Sequence, residues 1–318
     1  MPVEFQGRGV IPACLMPATA SREIDRDSYR RHLGDLADVV GLSGVVVNGH
    51  AAEAHALATG EQIWGIETAA ETVGDRLPVI AGIYCEGTRL ASQMARSAEK
   101  AGAQALLIFP PNSLMFGGNE RPSLGAQYVK DIAAVTSLPL VVFQYPRATA
   151  LSYALDMLVS LCEAVETIVA IKDLCADPRL HERTITALHG LSRPVHVLTS
   201  QSQWLGASLS MGARGIISGA GSVIADRQRA LFDTFAREDS TLEERRALMQ
   251  TISLFVDALY RPPYVNWQAR MKRILYEFGR LESPNVFAPL QEIDTVEWME
   301  TARLISQAGL SRDNLYSM

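Results

Sequence analysis

A (β/α)8 barrel of the TIM type, followed by a C-terminal helical extension, is the fold class that three features of this 318-residue sequence predict. Eight short apolar runs recur at an average spacing of about 30 residues and alternate with helical patterns, which marks βα units around a parallel sheet. Runs such as GVVV are apolar without alternation, as strands buried on both faces require. After about Thr241 only helical patterns remain, so residues 1–240 are assigned to the barrel and 241–318 to the extension. A doubly wound open sheet is the competing arrangement, but no GxGxxG follows the first strand.

The first strand is GVIPACLMP at residues 9–17, with prolines of the kind a barrel rim tolerates. A helix over residues 24–40 follows, in which Ile24, Tyr29, His32, Leu33, Leu36, Ala37 and Val40 recur at helical spacing. Asp25 and Asp27 fall in its first turn, where the macrodipole favours them. GVVV at 44–47, bounded by Gly and by Asn48-Gly49, is the second strand, and a helix covers about 61–73. LPVIAGI at 77–83 is the third, and the helix over 88–101 stops at Gly102, a normal C-terminal signal. AQALLIFPP at 103–111 is the fourth, with a loop over 112–123 and a helix over 124–136. LPLVVFQYP at 138–146 is the fifth, followed by a helix over 152–164. TIVAIK at 167–172 is the sixth, with a helix over 178–189, and RPVHVLTS at 193–200 and ARGIISG at 213–219 complete a set of eight. Helices over 242–260, 265–278 and 295–307 form the extension, joined by RPP and SPNVFAP.

With 48% hydrophobic and 20% charged residues, the chain has the composition of an ordinary globular enzyme. A formal net charge of −6 and a pI near 5.6 argue against a nucleic-acid surface, so small molecules are the expected partners. Cys14, Cys85, Cys162 and Cys175 show neither a CxxC pair nor zinc-type histidine spacing. They are expected as small buried hydrophobes, with no metal and no disulfide. The N-terminus lacks the basic start and apolar run of a signal peptide, and no apolar segment has the roughly 18 residues a bilayer demands. A cytoplasmic location follows as the expectation.

The sixth strand ends in a cation, Lys172, followed by Asp173. One reading keeps the ammonium in water with its stem on apolar surface. The other buries it at the carboxyl end of a parallel strand, which lowers its pKa and leaves an amine able to form a Schiff base with a carbonyl. In a barrel, the residues just after each strand converge. These are Asn48 to Glu53 after strand two, Asn112 and Ser113 after four, Phe143, Gln144 and Tyr145 at five, Lys172 at six, Thr199 and Ser200 at seven, and Ile217, Ser218 and Gly219 at eight.

That set carries a resemblance. Gly49-x-x-x-Glu53, Pro110-Pro111, an aromatic-x-x-Pro from Phe143 to Pro146 and Ile171-Lys172-Asp173 resemble the dihydrodipicolinate synthase/N-acetylneuraminate lyase family over nearly the whole chain. The resemblance implies that Lys172 forms the Schiff base with pyruvate or another 2-keto acid, and that Gly49, His50 and Ala51 hold the acid's carboxylate through backbone N–H groups. It implies no cofactor, and a homo-oligomer, tetramer or dimer. Family members usually have hydroxyl residues at the positions of His50 and Ala51, and Glu53 matches a glutamate read as structural, tying the loop. His50 stands at a relay position, where an imidazole can move protons. Phe143 replaces the usual tyrosine, and Tyr145, facing the same way if the strand stays regular, is the candidate hydroxyl. Ser113 stands where a tyrosine reaches a neighbouring subunit, and Arg147 lies one residue before Ala148, the position of a substrate-binding arginine. With Ser200 and Ile217, these complete the candidate site.

The expected activity is aldol cleavage or dehydration of a 2-keto-3-deoxy sugar acid or a related 2-keto acid. A 4-hydroxy-tetrahydrodipicolinate synthase with an altered proton relay and a non-catalytic keto-acid sensor are the alternatives.

Overall fold

The computed structural model describes residues 4–317; residues 1–3 and 318, the outer ends of the expected barrel and extension, lie outside the described residues. The strands are β1 (Gly9–Pro12), β2 (Val45–Val47), β3 (Val79–Ile83), β4 (Ala105–Ile108), β5 (Leu140–Gln144), β6 (Ile168–Asp173), β7 (His196–Thr199) and β8 (Gly215–Ser218). All pairings are parallel, in the order β1-β8-β7-β6-β5-β4-β3-β2. A bridge from Ala13 to Val46 joins the two end strands, with Cys14 N donating to Val46 O at 2.8 Å and Ser43 N to Val10 O at 2.9 Å. The sheet is thereby drawn into a (β/α)8 barrel, as the sequence predicts.

The outer ring is α1 (Arg26–Ala37), α2 (Thr59–Val73), α3 (Thr88–Lys100), α4 (Ser123–Ala133), α5 (Leu155–Ala164), α6 (Pro178–His189), α7 (Leu205–Ser210) and α8 (Gly221–Ala236). Then come α9 (Leu242–Leu259), α10 (Trp267–Glu277) and α11 (Thr295–Gln307). Ile252, Phe255, Met271 and Ile274 of these last helices share one apolar cluster with the barrel. None of the described helices is long and apolar enough to cross a membrane.

Several boundaries move for identifiable reasons. Asp25 is not inside α1 but caps it, its side chain accepting from Ser28 N, and α1 ends three residues before Val40, which is 90% exposed. The first strand stops at Pro12, because Ala13 and Cys14 turn to bridge β2. Gly102 ends α3 as expected. At a φ of +94° it lets Ala103 N reach Ala98 O and its own N–H reach Glu99 O, the two bonds of a Schellman cap. The four cysteines are free, three buried and Cys85 half-buried.

One buried ionic contact fixes the extension against the barrel, and a second ties the extension together. Glu53, left-handed at φ +53°, places Oε1 2.5 Å from Lys272 Nζ of α10 while Oε2 accepts from Phe287 N at 2.7 Å. Both side chains are fully buried, so the loop tie expected of Glu53 runs to a helix more than two hundred residues away. Arg270, in the same helix, binds Glu297 and donates to the carbonyls of Leu259, Arg261, Pro262 and Pro263, which holds the Arg261-Pro-Pro segment in place. Breaking a buried pair by removing one partner strands a charge, so Lys272→Met is expected to cost about 3–5 kcal/mol in urea unfolding. A loss below about 1 kcal/mol would show that Glu53 does not depend on this partner.

Candidate active site

The carboxyl ends of β5, β6 and β7 open into a cavity of about 630 Å³ whose lining includes His50, Phe143, Lys172 and Ser200. Lys172 is the fifth residue of β6 and pairs with Phe143 across the β5–β6 ladder. It is 6% exposed, and its ammonium lies 4.3 Å from the centroid of the Phe143 ring. Among the described residues it has no acidic partner. Burial alone therefore acts on it, pushing its pKa from 10.5 down to about 7, where much of the lysine is a free amine near neutrality.

Asp173, the next residue, does not supply the missing counter-charge. Its Oδ1 accepts from Cys175 N at 2.7 Å, and its Oδ2 lies 2.8 Å from His181 Nδ1, whose Nε2 lies 2.7 Å from Ser208 Oγ. This chain joins the end of β6 to α6 and α7 and commits both carboxylate oxygens. Gln144 does the same for β5: its amide gives to Tyr153 O at 2.9 Å and takes from Tyr153 N at 2.8 Å, pinning the loop that carries Tyr145.

Tyr145 and His50 form a hydrogen-bonded pair, hydroxyl to Nε2, at 2.7 Å. The imidazole stacks on Phe109 at 4.9 Å and meets Tyr84 edge-on at 5.3 Å, while the Tyr145 and Phe143 rings lie 4.3 Å apart. Burial, then the charge of Lys172 and that of His55, push the His50 pKa down to about 3, and burial, then Tyr84, raises that of the Tyr145 phenol. Both groups are neutral near pH 7, so either can give or take a proton without first losing a charge. The His50 carbonyl accepts from Gln268 Nε2 at 3.3 Å, so α10 also orients this turn.

The turn after β2 begins at Asn48, left-handed at φ +54° and held by Nδ2 donating to Gln62 O at 2.8 Å. Its internal bonds run from Glu53 N to His50 O and from Ala54 N to Gly49 O, which leaves the amides of His50 and Ala51 outside them. A Cβ on Gly82 of β3 would stand 2.2 Å from Asn48 O, so glycine there is what lets the turn lie against the sheet.

The other candidates are spread more widely. Ser113 is exposed, its amide bound to Glu86 at 2.9 Å, and it does not line the cavity. Arg147 is exposed beside a neighbouring recess shared with Arg183. Ile217 is fully buried opposite Ile11 in the β1–β8 ladder, and Gly49 and Ala51 are buried without lining the cavity. Absent from the candidate set are Tyr84, Gln201, Gln203, Tyr260, Tyr264, Val265 and Trp267. Tyr84 directly follows β3 and was accessible to the strand-end rule. The last four come from the extension, and no local pattern points from there to the site.

The buried lysine makes stability depend on pH. Below about pH 7 it is charged in both native and unfolded chains, and the native state carries the full cost of burying it. Between about 7 and 10.5 the unfolded chain binds more protons, so that cost shrinks as pH rises. Lys172→Met is therefore expected to raise Tm most at pH 6, with the gain declining toward pH 10. A gain independent of pH would show that the ammonium is not desolvated.

Comparison with known proteins places this geometry. Residues 6–308 match the model of the dihydrodipicolinate synthetase family. A probable 5-dehydro-4-deoxyglucarate dehydratase of Methylobacterium radiotolerans is 30% identical over 91% of this chain and 92% of its own. A 4-hydroxy-tetrahydrodipicolinate synthase of Streptomyces coelicolor is 30% identical over 89% and 88%. The crystal structure of dihydrodipicolinate synthase from Thermotoga maritima superposes with a TM-score of 0.86 at 21% identity, covering 96% of this chain and 99% of that one.

Proposed function

Since the chain belongs to the dihydrodipicolinate synthetase family and is a lyase, we propose that it works through a Schiff base between Lys172 and pyruvate or a longer 2-keto acid, cleaving or dehydrating a 2-keto-3-deoxy sugar acid or a related compound. The observation that carries this reading is the buried lysine at the end of β6, unpaired and depressed to about 7, beside a cavity large enough for a keto acid and its tail.

The neutral amine adds to the C2 carbonyl, and the carbinolamine loses water to give an iminium. In an aldol cleavage the C3–C4 electron pair then moves into the iminium, leaving an enamine, as the C4 hydroxyl gives up its proton and an aldehyde departs. Protonation of the enamine at C3 and hydrolysis return pyruvate and Lys172. In a dehydration, loss of a proton from C3 and of hydroxide from C4 takes the place of bond cleavage. The Tyr145–His50 pair is the proton acceptor and donor, taking over from the hydroxyls that Phe143, His50 and Ala51 do not carry. The free amide of His50, which lines the cavity, is the candidate for the carboxylate, with that of Ala51 buried behind it in the turn from Gly49.

The synthase alternative draws support from the Streptomyces relative's name, but Arg147, its candidate for a second carboxylate, lies outside the cavity. The sensor alternative requires adduct without turnover. We place the protein in the cytoplasm as a dimer or tetramer, with Met115 and Phe116, 53% and 90% exposed in the loop after β4, offering apolar contact surface.

Borohydride added with pyruvate is expected to fix a mass increment on the peptide containing Lys172. No increment, under conditions that trap a control lyase, would sink the reading. The free amine is the reactive form, so kcat/KM is expected to fall on the acid side of about pH 7, with no separate histidine limb between pH 5 and 9. Tyr145→Phe should lower kcat by about 100-fold or more while trapping persists. Near-normal turnover in that variant would assign proton transfer to another group.

A further inference from the structure

We propose that the substrate's tail, the end remote from its 2-keto acid head, is an uncharged aromatic group. This rests on the Lys172 lyase reading and adds the chemistry of the rest of the cavity.

Beyond Lys172 and His50, the lining divides by chemistry. Pro146, Leu174, Val265 and the rings of Tyr260, Tyr264 and Trp267 present hydrocarbon and aromatic faces, while the amides and aliphatic hydroxyls come from the stretch after β7, Ser200 to Gln203, and two phenol hydroxyls and an indole N–H are the other polar groups. Ser202 is already engaged, its Oγ lying 3.1 Å from Ser218 Oγ and bonding the Tyr260 hydroxyl. Uncharged hydroxyls and amides on one strip thus face a remainder with few hydrogen-bonding groups. No Arg, Asp or Glu is among the lining residues, and Lys172, the one cation there, carries its charge as an iminium at C2, at the head of the substrate and not at its tail.

A second carboxylate or a phosphate on the tail would find no counter-charge on any lining residue. Arg147, in the loop beyond β5, and Arg183 of α6 open onto a different recess. A polyol tail would set its hydroxyls against Leu174, Val265 and Pro146, which offer no donor and no side-chain acceptor. A planar ring suits both parts: one face lies on the wall that the Tyr260 and Trp267 rings form together, their centroids 5.8 Å apart, and a neutral substituent on its edge meets Gln201 and Gln203. Those rings are placed by the main chain. A Cβ on Gly219 would lie 2.8 Å from the Trp267 ring and 3.1 Å from the Tyr260 hydroxyl, so glycine at the end of β8 admits both. Arg270 binds the carbonyls of Leu259 and Arg261, on either side of Tyr260.

Borohydride trapping on the full chain, as a function of ligand concentration, tests this with four acids: pyruvate, 4-phenyl-2-oxobut-3-enoate for the aromatic tail, 2-keto-3-deoxygluconate for the polyol, and 5-dehydro-4-deoxyglucarate, which has a carboxylate at each end. The aromatic acid is expected to half-saturate at a concentration at least tenfold below the polyol and the dicarboxylate. Trp267→Ala should raise its half-saturation at least tenfold, and by more than it raises that of pyruvate. Gln203→Arg, at the exposed rim, should improve the dicarboxylate at least fivefold without improving the aromatic acid; no gain there would overturn the charge argument. A polyol or dicarboxylate that saturates as low as the aromatic acid in the wild type overturns the proposal whether or not Trp267→Ala folds. Adduct with pyruvate and a reversed ranking sinks this inference alone, whereas no adduct with any of the four sinks the Lys172 reading itself.

Discussion

An ammonium group buried without a carboxylate is the constraint from which the rest of the site follows. Lys172 is held there by a parallel ladder that pairs it with Phe143, and the nearest acid in sequence, Asp173, has both oxygens committed elsewhere. Had Asp173 been free to turn toward the amine, the attraction would have kept the lysine charged and unreactive. The Asp173–His181–Ser208 chain therefore has a chemical consequence beyond joining β6 to α6 and α7. It keeps the Asp173 carboxylate occupied one residue away from the amine proposed to react in its neutral form.

A neutral amine also sets the terms for its neighbours. A charged imidazole would be repelled by the lysine whenever that is protonated, and His50 is held far below its ordinary pKa by burial and by Lys172. Tyr145, raised by burial, keeps its proton. Two uncharged groups joined by one hydrogen bond can pass a proton along while the net charge at the amine stays the same, which a pair of ionised groups could not do in so dry a place. The aromatic packing around His50 thus decides protonation state as well as shape.

The extension reaches the chemistry through a small number of polar contacts. Lys272 anchors the far end of the turn after β2 through Glu53, Gln268 holds the His50 carbonyl, and Arg270 fixes the segment that brings Tyr260 and Trp267 to the cavity. All three belong to α10. One helix thereby couples the turn after β2 to the wall of rings across the cavity, so both are held on a common support.

The barrel was legible in the sequence because a strand buried on both faces must be apolar throughout, and eight such runs with helices between them leave few other arrangements. The place of Lys172 after such a run left two readings open, and the family resemblance singled it out; the convergence of strand ends grouped it with His50, Phe143 and Ser200, which line one cavity with it. Local rules misplace Val40, whose apolar side chain fits a helical spacing that the cap at Asp25 and the end of α1 cut short. They also group Ser113 and Arg147 with the site, though the loops that carry them turn outward. What only the tertiary structure decided is the company each group keeps: that Asp173 faces His181, that His50 meets Tyr145, and that rings from residues 260–267 close the cavity. The physical reason is that desolvation and hydrogen bonding depend on atoms brought together from distant positions, whereas periodicity records only whether a residue faces the core.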